Sequence, residues 1–141
     1  RPWQHVLEPL SGYLNLGQYL YEGKVENGEP FNFGPRAEQN KTVFELVQDL
    51  ATLWGLDKDQ AAKLTGNVPF KEATLLKLNC DKALVYLNWH STLHYEECVK
   101  FIADWYKAFY IDRYEDMYAL TVKQIEAYVD SAKKQGLNWA E

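Results

Sequence analysis

A chain of 141 residues with a net charge of −5 and a pI near 5.2 is one domain's worth of polypeptide, able to bury about two thirds of the surface its unfolded form exposes. The acidic balance argues against a phosphate-backbone partner, so nucleic acid is not expected, and no apolar run nears the ~20 residues of a membrane-crossing helix. With 47% hydrophobic and 25% charged residues, the composition is that of an ordinary folded protein.

Residues 1–14, RPWQHVLEPLSGYL, open without a methionine on a short alternating stretch that runs straight into a helix. That reads as the back part of a larger protein. Residues 1–6 alternate as a strand, with Arg1, Trp3 and His5 on one face. Pro9 suits the first turn of the helix that follows, where its missing N–H costs nothing. Leu7, Leu10, Leu14, Gly17 and Tyr21 predict its apolar stripe. Gly12 and Gly17 each cost such a helix about 1 kcal/mol relative to alanine, which points to close packing at both. Residues 24–30 form a polar loop, and 31–33 a second short strand stopped by Gly34-Pro35.

Thr42-x-x-Glu45 is a capping box ahead of Val43, Leu46, Val47, Leu50, Leu53 and Trp54, with Gly55 as the stop. That role for Thr42 outweighs the glycosylation acceptor spelled by Asn40-Lys41-Thr42. Residues 56–73 are irregular, 75–79 predict a third strand, and Asp81 caps a helical stretch through Leu87. Cys98, Phe101, Ile102, Trp105 and Phe109 line a further helix. Thr121-x-x-Gln124 opens the last, with Val122, Ile125, Val129 and Ala132 inward. The expected fold is α+β, mainly α-helical. Its few short strands complete a sheet elsewhere, because isolated two-stranded pieces are marginal.

Familiar catalytic spacings are absent. The eight glycines spell neither GxGxxG nor a phosphate loop, no GxSxG occurs, and no tyrosine has a lysine four residues on. His90 and His94 are four apart but straddle a connector and a helix start, so no metal site is expected. Cys80 and Cys98 lack redox or metal spacing and fit a reducing, cytoplasmic setting as buried hydrophobes. What remains is Arg1, able to clamp a diphosphate bidentately, and Glu72, able to accept hydrogen bonds from a ribose diol. Two ordinary surface charges would look the same.

RPWQHVLEPLSGYL resembles the signature of CDP-glucose 4,6-dehydratases, extended short-chain dehydrogenase/reductase proteins of bacterial deoxysugar pathways. The likeness continues through Tyr21-Glu22-Gly23, Phe31-Asn32-Phe33-Gly34-Pro35, Trp54-Gly55, Glu72-Ala73, Leu76-Lys77-Leu78-Asn79-Cys80-Asp81-Lys82-Ala83, Leu87-Asn88-Trp89 and Trp105-Tyr106. It implies that residues 1–141 are the C-terminal nucleotide-sugar-binding domain of such an enzyme, with the Rossmann domain, the NAD it binds and the catalytic tyrosine and lysine lying upstream. In the family, the glucosyl C4 gives a hydride to NAD, water leaves across C5 and C6, and the hydride returns to C6. The resemblance further implies CDP-glucose as substrate, Arg1 on its diphosphate, Glu72 near its ribose, and a homo-oligomer. Lys71 departs from the histidine common before Glu-Ala, and Asn79 and Asp81 from the usual aspartate and serine around Cys80. A related nucleotide-sugar epimerase or dehydratase, or a non-enzymatic α+β interaction module, is the alternative.

Overall fold

Helical periodicity dominates the computed structural model, which describes residues 1–36, 39–63, 66 and 77–141. In chain order come α1 (Leu7–Tyr21), α2 (Val43–Leu53), α3 (Asp81–Leu87), α4 (Tyr95–Tyr110), α5 (Met117–Lys134) and a closing 3-10 turn, Asn138–Ala140. The fold is mainly helical, with no Rossmann sheet among the described residues.

The expected strands give way to irregular chain. Residues 1–6 make one antiparallel bridge, Pro2 to Asn40, because proline brings no N–H with which to extend a ladder. Residues 31–33 form no ladder among the described residues. Phe33 instead turns its ring edge-on to Trp89 at 4.9 Å, so the alternation serves core packing. Of the strand expected at 75–79, residues 75 and 76 lie outside the described residues, and 77–79 are irregular.

Local capping chemistry sets the helix starts. At α2 the capping box forms as read: Glu45 N–H donates to Thr42 Oγ1 at 3.1 Å, and Thr42 N–H to the Glu45 carboxylate at 2.7 Å. Gly55 ends that helix at φ +73°. The last helix starts earlier than Thr121, at Met117, because the Asp116 carboxylate accepts the Ala119 N–H at 2.8 Å. A carboxylate is the stronger partner for an N-terminal turn. Thr121 lies inside the helix, donating to the Met117 carbonyl and accepting from Trp105 Nε1. Asp81 is the first residue of α3 rather than its cap, and its N–H is held by Asn79 Oδ1 at 3.0 Å.

Two hydrophobic clusters stand out in the interior of the described residues. Phe33, Ala83, Leu87 and Trp89 make one, and Ala132, Leu137 and Ala140 the other, with Trp139 packed against both. Trp54 Nε1 donates to the Ala103 carbonyl and Gln124 to that of Phe101, fastening α2 and α5 to α4. On α4 Cys98 is buried as expected, whereas Phe109 is largely exposed; on α5 Ala132 is buried and Ile125 exposed, with Tyr128 buried instead.

The largest correction is α1. Most of its expected apolar stripe faces outward: Leu10 is 46% exposed, Leu14 77% and Tyr21 93%, and only Leu7 is partly buried. The buried residues are Glu8, Ser11, Gly12 and Asn15. Gly12 does mark a close approach, since a Cβ there would overlap the Phe33 ring; Gly17 has nothing within 4 Å of such an atom.

Candidate functional site

The buried face of α1 organises the connector between α3 and α4. Residues 89 and 91–93 of that connector are buried without regular structure, so their backbone N–H groups need partners from outside it. The Trp89 N–H reaches the Ala83 carbonyl, and Glu8, 1% exposed, serves the end of the connector. Its carboxylate accepts the Thr92 N–H at 2.9 Å, the Leu93 N–H at 2.7 Å and the Tyr128 hydroxyl at 2.8 Å. Ser11 Oγ lies 2.9 Å from Tyr128 Oη, accepts from Trp89 Nε1 at 3.0 Å and donates to the Glu8 carbonyl. Asn15 donates to the Leu87 carbonyl, and Gln135 to that of Thr92. Burial raises the Glu8 carboxyl above its usual range, opposed first by the two backbone N–H donors. Burial likewise raises Tyr128, and it pushes the Cys98 thiol up to about 12.

The connector fixed by Glu8 forms one wall of a cavity of about 560 Å³. Trp89, His90 and Ser91 line it on that side, Gly34, Pro35 and Arg36 on a second, and Lys77 through Asp81 with Leu84 on the rest. Gly34 lets these walls meet, for a Cβ there would lie 3.0 Å from Leu78 Cδ1 and 3.3 Å from Cys80 Sγ. Arg36, Lys77 and His90 supply cationic or donor groups and Asp81 a carboxylate, among apolar wall residues such as Leu78, Leu84 and Trp89. Ser91 is 2% exposed, and its hydroxyl has no partner among the described residues. Such a chamber suits an anionic, partly apolar ligand. Cys80 in its wall is no ready nucleophile, because burial raises its thiol pKa.

A second hollow, about 650 Å³, is an apolar groove where the start of α1 meets α4 and α5. Val6, Leu10, Ile102, Trp105 and Ile125 line it, with His5 at its edge. The His5 ring lies edge-on to Phe101 at 5.6 Å, and burial lowers its pKa.

Of the residues named from sequence, Arg1 stands half-buried beside the Pro2–Asn40 bridge. Its carbonyl accepts the Trp3 and Lys41 N–H groups, and Trp3 Nε1 donates to the Lys41 carbonyl at 2.9 Å. Arg1 lines neither hollow. Glu72 lies outside the described residues. His90 and His94 find separate partners, the Ser91 carbonyl and the Gln39 side chain. The sequence reading missed Arg36, Lys77, His90 and Ser91 as wall residues, and no local spacing links them. Glu8 was within reach, because Glu8, Ser11 and Asn15 repeat at three- and four-residue intervals as a polar stripe.

No protein-family model matches the chain. The likeness carried by the RPWQHVLEPL run is borne out over nearly the whole length, for across 134 residues, 95% of this chain, it is 42% identical to a curated CDP-glucose 4,6-dehydratase of Salmonella typhimurium, of which it spans 36%.

Proposed function

We propose that residues 1–141 are the C-terminal, nucleotide-sugar-binding domain of a longer CDP-glucose 4,6-dehydratase, a carbon–oxygen lyase of deoxysugar synthesis that converts CDP-glucose to CDP-4-keto-6-deoxyglucose. The observation that carries this reading is the 42% identity over 95% of the chain. NAD is assigned to the remainder of the polypeptide. Among the described residues the fit to a dinucleotide is poor: no glycine-rich turn leads into a helix, and α1 follows Val6 with no glycine before it. The task left to this chain is to hold the nucleotide end of the substrate, with Arg1 on the diphosphate and Glu72 on the ribose, in a cytoplasmic homo-oligomer.

These contacts lie away from the carbons where bonds change, so they bind ground and transition states alike. In the longer polypeptide, Arg1→Ala should raise KM for CDP-glucose with little change in kcat. A lost bidentate charge-assisted contact costs about 2–3 kcal/mol, roughly 30- to 150-fold. Arg1→Lys should recover only part, lacking the planar fork. Glu72→Ala should cost less, and NAD affinity should be untouched in all three. Water loss from CDP-glucose, followed by mass spectrometry, gives the parent activity. A longer polypeptide that turns over a different nucleotide sugar and leaves CDP-glucose intact would overturn the substrate. Unchanged KM in both alanine variants would overturn the two residues.

A further inference from the structure

Ser91 is buried, and its hydroxyl has no hydrogen-bond partner among the described residues. The next two residues, Thr92 and Leu93, have their N–H groups fixed by Glu8, so the wall that carries Ser91 is held in place. A buried hydroxyl without a partner costs free energy, and in a fixed wall it asks for a partner from outside the chain. Ser91 lines the cavity of about 560 Å³ between the connector, residues 34–36 and residues 77–81. That volume lies within the range of small-molecule sites.

The same walls carry positive charge in excess. Arg36 gives one of its donors to Gln135 Oε1 at 3.3 Å, and no ion pair or hydrogen bond joins Lys77 to another described residue. His90 Nδ1 lies 3.0 Å from the Ser91 carbonyl, which can only accept, so Nδ1 carries the proton and Nε2 remains to bind one. Against these stands the Asp81 carboxylate, which already accepts the Asn79 amide at 3.2 Å. With His90 protonated, three cations face one carboxylate and leave two positive charges. A phosphate monoester matches them with about −1.5 to −2 at neutral pH, where a carboxylate brings only one charge. Leu78 and Leu84, 40% and 47% exposed, add apolar surface in the same cavity.

We propose that this cavity is a binding site for a phosphate monoester carrying a small apolar or aromatic group, separate from the nucleotide-sugar contacts assigned to Arg1. Arg36, Lys77 and the Ser91 hydroxyl hold the phosphate, and Leu78 and Leu84 receive the apolar group. Arg1 lines no part of the cavity, so the site stands or falls apart from the dehydratase reading.

Calorimetric titration of the full gene product with phenyl phosphate tests it, with CDP in excess to fill any nucleotide-sugar site. Saturable binding should persist under CDP and in Arg1→Ala. Arg36→Gln should weaken it about tenfold or more and Lys77→Gln about threefold or more. Ser91→Ala should weaken it about threefold, while the ligand-free variant melts no lower than the native protein, because no existing hydrogen bond is lost. Inorganic phosphate lacks the apolar group and benzoate the second charge, so each should bind about tenfold more weakly than phenyl phosphate. Absence of saturable binding, or its loss under CDP or in Arg1→Ala, would overturn the separate site. Unchanged affinity in all three wall variants would overturn its placement. Benzoate binding as tightly as phenyl phosphate would overturn the phosphate, and inorganic phosphate doing so would overturn the apolar group.

Discussion

Helices α1 and α4 are nearly equal in length, 15 and 16 residues, yet they hold their places by different physics. Inward on α4 lie Cys98, Val99 and Ala103, apolar groups whose burial is favourable in any orientation. Fully buried on α1 beside Gly12 are Glu8, Ser11 and Asn15, with Leu16 and Tyr19 packed on the core, and the three polar groups stabilise only where each donor and acceptor meets its partner. The first kind of contact tolerates small shifts, and the second fixes position. Helix α1 therefore serves as the reference against which the connector and the cavity wall are set, while Leu10, Leu14 and Tyr21 on its other face are exposed.

Removing Glu8 should break this arrangement most severely. Glu8→Ala strands the Thr92 and Leu93 N–H groups in a dry interior and leaves the Tyr128 hydroxyl with Ser11 alone, at a cost of about 3–5 kcal/mol, readable by urea unfolding. Destabilisation below about 1 kcal/mol, as at an ordinary surface site, would show that the polar face of α1 is not what holds the connector.

The same carboxyl leaves a signature in pH. Its folded pKa is raised by burial, so between the unfolded and folded values the folded state binds more protons than the unfolded state. Stability from this group is therefore fully present below the usual carboxylate pKa and is lost as pH rises through the folded value. Compared with Glu8→Gln, the native chain should lose stability more steeply across that window; parallel curves would count against it.

Glycine substitutions on one helix sharpen the contrast further. Gly12→Ala drives a methyl into the buried Phe33 ring. About 1–3 kcal/mol of overpacking should outweigh the ~1 kcal/mol that alanine gains in helix propensity. Gly17→Ala meets open space and should raise stability by up to about 1 kcal/mol. Thermal unfolding of the pair, moving in opposite directions, checks both. The smallest effect is expected at Leu14→Ser, within about 0.5 kcal/mol in the 141-residue chain despite leucine's apolar side chain, because Leu14 is already 77% exposed there.

Local rules written in neighbouring residues were readable without coordinates. The helices, the capping box of Thr42 and Glu45, the stop at Gly55 and the close approach at Gly12 all come from periodicity, short-range hydrogen bonding or the absence of a Cβ, and each holds in the structure. Arg1 and Glu72 were singled out by what a guanidinium and a carboxylate can bind, and the likeness of whole motifs then assigned them to the diphosphate and the ribose. The cavity wall of Arg36, Lys77, His90 and Ser91 was not readable, because the distances joining it are spatial and carry no spacing along the chain.

The facing of α1 was decided by tertiary structure alone. Its sequence carries two stripes of equal period, one through Leu10, Leu14 and Tyr21 and one through Glu8, Ser11 and Asn15. Periodicity shows that a helix has two faces, and hydrophobicity alone would turn the first inward. Only the unpaired N–H groups of the connector and the hydroxyl of Tyr128, brought in from 84 to 120 residues away, make the polar face the buried one, since those groups must find an acceptor once water is gone.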